Sequence, residues 1–143
     1  MTFQEFIDYG INAAVKIGID YNKTLDFSDE SIHIADEILD GYHDRYIHPE
    51  KDKKFMQEKI DTFAHIFGIY VGEVLRRNHA QNCVWKETEY GAVLTKDDGD
   101  YVNSIAKVYK QIANGKEFGD DIKSFFDIAI LVLQGRSPMQ DKQ

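Results

Sequence analysis

Residues 53–78, KKFMQEKIDTFAHIFGIYVGEVLRRN, decide the fold. Phe55, Met56 or Ile60, Phe63, Ile66, Phe67, Tyr70, Val74 and Leu75 recur at the spacing of one helical face. A helix over about 52–77 follows, the longest periodic run in the chain. Its apolar arc broadens after Ala64, so its second half should be surrounded by other elements. Gly68 and Gly72 stand one turn apart on one side. A glycine inside a helix costs about 1 kcal/mol relative to alanine. The pair therefore predicts that another backbone crosses the helix there.

The same stretch carries the densest chemistry. Glu73 precedes Arg77 by four residues, the favourable order for a helical ion pair. One reading makes Glu73 a general base or anchor, with Arg76 or Arg77 binding an anion and Tyr70 and His65 beside them. The structural reading, which is preferred, pairs Glu73 with Arg77 at the rim and leaves Arg76 in solvent. A buried carboxylate must find partners in either case.

Upstream, Phe3, Phe6, Ile7, Gly10, Ile11, Ala14 and Val15 predict a helix over 3–17, stopped by Gly18. A connector with Leu25 and Phe27 tucked inward leads to a second helix from near Ser28, capped by Asp26 or Ser28. Its buried stripe is Ile32, Ala35, Ile38, Leu39, Tyr42 and Tyr46, and His48-Pro49 ends it. The run 49–54 reads as an exposed turn.

Downstream, 78–82 reads as a turn. CVWKE and AVLTK alternate as antiparallel strands around Gly91. Asp98-Gly99 marks a hairpin, and Tyr101-Val102 begins a third short strand. Asn103 or Ser104 caps a helix with Ile105, Val108, Tyr109 and Ile112, stopped by Gly115. A last helix, from about Phe118 or Asp120 to Leu133, is apolar almost all round and is expected deep in the core or at a homodimer contact. The expectation is an α+β fold: one domain over 1–143, mainly helical with about five helices, a two- or three-stranded antiparallel sheet, and a loose tail from about 136.

Composition bounds the function. The chain has 143 residues, 43% of them apolar and 13% aromatic, enough for its own core. The net charge of −8 opposes a non-specific grip on nucleic acid or an anionic membrane and suits a basic protein partner. No run approaches the roughly 20 apolar residues a membrane helix needs. The start lacks a basic n-region, and Cys83 is the single cysteine, which fits a reducing cytoplasm.

Catalytic and metal signatures are missing from the sequence. The five histidines make no HExxH, though His33 and His65 could face each other across two helices. A thiol hydrolase would need Cys83, His79 and an acid to converge. KDDGDY lacks the glutamate of a calcium loop. No metal or cofactor is expected. Trp85 and Tyr90 are the candidate interface aromatics.

Gly68, Tyr70, Gly72, Glu73 and Arg76, followed by Trp85 and Gly115, resemble the G-x-Y-x-G-E-x-x-R helix and short sheet of small uncharacterised bacterial protein families. The likeness spans roughly 60–118. Some such proteins resemble intracellular accessory or immunity proteins, so the resemblance implies a cytoplasmic binding or regulatory role. The functional expectation is a non-enzymatic protein-binding or regulatory chain. Its alternatives are a small hydrolase or ligand-binding protein with a Glu/Arg pocket, and a structural homodimer.

Overall fold

A computed structural model describes residues 1–48, 53–96 and 99–135 of the chain. The elements run α1 (Phe3–Asp20), α2 (Ser31–Ile47), α3 (Lys53–His79), β1 (Val84–Thr88), β2 (Gly91–Thr95), β3 (Tyr101–Val102), α4 (Ser104–Asn114) and α5 (Ile122–Leu133), with a 3-10 turn at Lys116–Phe118. The fold is α+β: five helices and an antiparallel sheet of order β1-β2-β3. No described helix is long and apolar enough to cross a membrane.

α3 is the axis. It packs against α1, α2, α4 and α5. From Ile66 to Leu75 every residue is buried, as the broadened apolar arc requires. Phe55, expected inside, is 44% exposed. It sits in the first turn, before the surrounding helices close in, with the Arg45 guanidinium 5.7 Å from its ring.

The two glycines are used differently. At Gly68 a Cβ would meet Ile105 Cα and, at 2.8 Å, Ile105 N. The first turn of α4 therefore crosses here, and Ser104 Oγ donates to Gly68 O at 2.6 Å. At Gly72 the space is filled by the Trp85 ring, with Ser104 Oγ 3.2 Å from the added carbon. A backbone crosses at one glycine, and an indole lies on the other.

Several boundaries shift for local reasons. α1 runs past Gly18 to Asp20, and Gly18 instead receives the Leu25 side chain. Thr2 Oγ1 caps its start by accepting from the Glu5 N–H at 3.1 Å. α2 starts at Ser31 rather than near Ser28. Asp26 accepts from the Ser28 N–H and hydroxyl, and Ser28 Oγ accepts from the Ser31 N–H. The predicted caps thus build a turn one step before the helix.

α3 continues to His79, so the turn into the sheet follows it rather than beginning at 78. α5 begins at Ile122 under Asp121, whose carboxylate accepts from the Ser124 N–H. It buries Ile122, Phe126, Ala129 and Leu133, while Ile128 is half exposed. The helix is therefore one-sided rather than deep in the core. The predicted turn at 49–52, the aspartates at 97 and 98, and the tail from 136 lie outside the described residues. Gly99 has φ +93°, and its N–H donates to Lys96 O.

Register fixes the two faces of the sheet. Trp85 pairs with Leu94 and Leu94 with Val102, and these point inward. Val84 pairs with Thr95, Thr95 with Tyr101 and Lys86 with Val93, on the opposite face.

Candidate functional site

Glu73 is buried at 3% exposure in the last third of α3. Arg76 Nε donates to its Oε1 at 2.8 Å and Arg76 Nη2 to its Oε2 at 3.1 Å. Arg77 Nε donates to Oε2 at 2.9 Å, and Trp85 Nε1 to Oε1 at 2.8 Å. Burial pushes the carboxyl up, but the bonds from Arg76, Trp85 and Arg77 outweigh it and hold Glu73 below its usual range. A general base needs an affinity for protons near the working pH and a free lone pair facing substrate. Glu73 is instead ionised and saturated by donors, which argues against the general-base role.

Arg76, expected in solvent, is corrected by this geometry. It is the bidentate partner, because its i, i+3 position places the guanidinium fork across the carboxylate. Arg77 also stacks on Phe27, its guanidinium carbon 3.9 Å from the ring centroid. Phe27 has φ +64°, a strained conformation for a bulky residue that costs about 1–3 kcal/mol. Its surroundings enforce it: the Phe27 N–H donates to Tyr70 Oη at 3.0 Å and Asn78 Nδ2 donates to Phe27 O at 2.9 Å.

Tyr70, predicted as a binding residue, is fully buried, and its hydroxyl shares a 2.6 Å bond with Ser31 Oγ. Burial pushes the phenol above its usual value. Tyr70 ties the 27–31 segment to α3.

His65 stands eight residues before Glu73, roughly 12 Å along the axis. It faces α1, its Nε2 3.2 Å from Phe6 O and its ring 3.7 Å from that of Phe6. That contact to a carbonyl assigns the proton to Nε2. Nδ1 is buried without a hydrogen-bond partner among the described residues. Burial holds His65 below its usual value. His33 is exposed, and no described group of three or more His, Cys, Asp or Glu is placed to hold a metal. His79 turns to Asp29, 2.6 Å from its Oδ2, and meets Phe126 edge-on. Cys83 lies instead among the residues beside Glu73 and Trp85.

Glu73, Arg76, Arg77 and Trp85 therefore come together, in a cleft of about 380 Å³ walled by Phe3, Ile7 and Asp8 of α1 and by Cys83 and Val84. Tyr70 and His65 do not join them. Tyr90 belongs to a second place, the outer sheet face. It is 74% exposed, with Val84 at 60% and Tyr101 at 54%. Tyr90, Tyr101, Val93 and Lys86 line a depression of about 410 Å³ there, with Glu87 and Glu89. Val84 and Tyr101 escaped the sequence reading as interface residues; the pairing that turns Trp85 inward places both on the outer face. Comparison with protein-family models, with curated proteins and with solved structures gives no match to this chain.

Proposed function

We propose that this chain acts in the cytoplasm as a non-enzymatic protein-binding or regulatory protein, contacting its partner through the outer face of the sheet. The carrying observation is the exposure of Tyr90 and Tyr101 together around the buried Val93, with Glu87 and Glu89 beside them. Exposed aromatics around an apolar floor form the usual centre of a binding patch. Two carboxylates against Lys86, on a chain of net charge −8, favour a basic partner surface. The saturated Glu73 and the buried Tyr70 weigh against the hydrolase alternative.

The test is affinity capture from native lysate with the wild-type chain beside the Tyr90→Ala/Tyr101→Ala double variant. The reading expects a basic protein held by the wild type, released by salt and absent from the variant. Equal capture by both chains would remove the outer face from the account.

A further inference from the structure

We propose a second binding site: a trough between α1 and the free edge of β1 that takes an extended peptide by strand addition, with the peptide's C-terminal carboxylate against Arg76 and Arg77. It lies on the other side of β1 from the outer-face patch, and Glu87 lines both places.

β1 is an edge strand whose one partner among the described residues is β2. In an antiparallel edge strand, alternate residues turn their N–H and C=O away from the sheet and can pair with an added chain. Two clefts follow this strand. The one of about 380 Å³ lies at its start, and one of about 230 Å³, lined by Thr2, Phe6, Glu87, Thr88 and Gly91 among others, lies at its end. Phe3 of α1 lines both. Ile7, Phe3 and Trp85 line the first cleft and Ala92 the second, and these belong to one apolar cluster that also contains Ile69 and gives the clefts their floor. A strand laid on β1 would turn every second side chain toward that floor.

The charges set the direction of the peptide. Arg76 and Arg77 stand at the Val84 end, and Glu87 stands near the other. The separation from Val84 to Glu87 is roughly 10 Å along the strand. Two guanidiniums share the cleft with two carboxylates, that of Asp8 on α1 and, bonded to both arginines, that of Glu73. The arginines' bonds to Glu73 use three N–H groups of the roughly ten that the pair carries. Asp8, on the α1 wall, accepts from Gln4 Nε2 at 2.9 Å. The remaining N–H groups of Arg76 and Arg77 favour an acceptor such as a carboxylate at the arginine end, and Glu87 favours an amino-terminal or basic group near the other. The peptide then runs antiparallel to β1.

The arginines are held in place before any ligand arrives. Glu73 fixes both, and the Phe27 ring carries the Arg77 plane. Preorganised cations lose little freedom on binding. Backbone pairing with carboxylate capture at its end is a general way of holding a peptide terminus.

The test uses a random heptapeptide library displayed with free C-termini, beside the same library displayed internally. Selection on the whole chain should enrich only the free-C-terminus form. The best selected peptide is then titrated into ¹⁵N-labelled protein as the acid and as the amide. The expected result is amide-shift changes confined to 83–88 and the facing side of α1, and at least about tenfold weaker binding of the amide. Arg77→Gln, which leaves Arg76 and Trp85 on Glu73, should weaken the acid by a similar factor and leave the amide unchanged. N-methylation of alternate peptide residues should abolish binding in one phase and spare it in the other. Enrichment of neither library, equal enrichment of both, or shifts centred on Tyr90 and Tyr101 would overturn the proposal. So would equal binding of acid and amide.

Discussion

Trp85 and Tyr90 sit five residues apart on one hairpin and have opposite fates. Trp85 turns inward, covers Gly72 and gives its N–H to a buried carboxylate. Tyr90, beyond the end of β1, stays 74% exposed. Residue type does not separate them, since both rings are amphipathic. Place on the hairpin and a waiting acceptor do: Trp85 lies on the inward side of β1 opposite Leu94, and Tyr90 lies in the turn. An aromatic with a buried partner serves the fold, and one without is available to another molecule.

The strongest way to break this contrast is Glu73→Ala. It leaves Trp85 Nε1 and two guanidiniums without their shared acceptor. Removing one member of a buried charged cluster costs about 3–5 kcal/mol. Urea unfolding should show that loss, and Trp85 fluorescence should shift to the red as the indole loosens. Trp85→Phe keeps a ring over Gly72 but removes one charge-assisted bond, a loss of about 1.5–3 kcal/mol. Gly68→Ala, which drives a methyl into the Ile105 backbone, should cost about 1–3 kcal/mol by overpacking.

Acid should act in two steps. His65 is held below its usual 6.5 by burial, so its neutral form stabilises the fold above pH 6.5. That contribution fades as pH drops from 6.5 through the lowered native value. Glu73 is held below its usual 4.5, so its contribution is full above 4.5 and disappears as pH falls through its own lower value. A pH series of urea midpoints should show the His65 step first, and His65→Phe should erase that step alone. Tyr90→Ala is the smallest change in this ranking, within about 0.5 kcal/mol of wild type, while partner capture is lost.

The sequence made the scaffold legible where the signal was local. The long helix, Asn103 at the start of α4, Gly115 at its end and the third short strand all follow from periodicity and turn residues. The glycine pair was legible as a close approach, but not as a backbone at one position and an indole at the other. Val84 and Trp85 are both apolar, so alternation alone did not say which faces the core. The bonds that shape the site also join distant positions. Tyr70 to Ser31 spans 39 residues and His79 to Asp29 spans 50. Phe27 in a left-handed conformation has no sequence mark, since glycine or asparagine would be expected there.

The central claim is that Glu73, at the centre of the polar knot of α3, is an ionised structural hub and not a base. The most direct measurement is a ¹³C NMR titration of the Glu73 side-chain carboxyl in the folded chain. The account predicts a midpoint below the usual 4.5, with the Trp85 indole proton shifting over the same range. A Glu73 midpoint near neutrality, independent of the indole, would contradict it and restore Glu73 as a base.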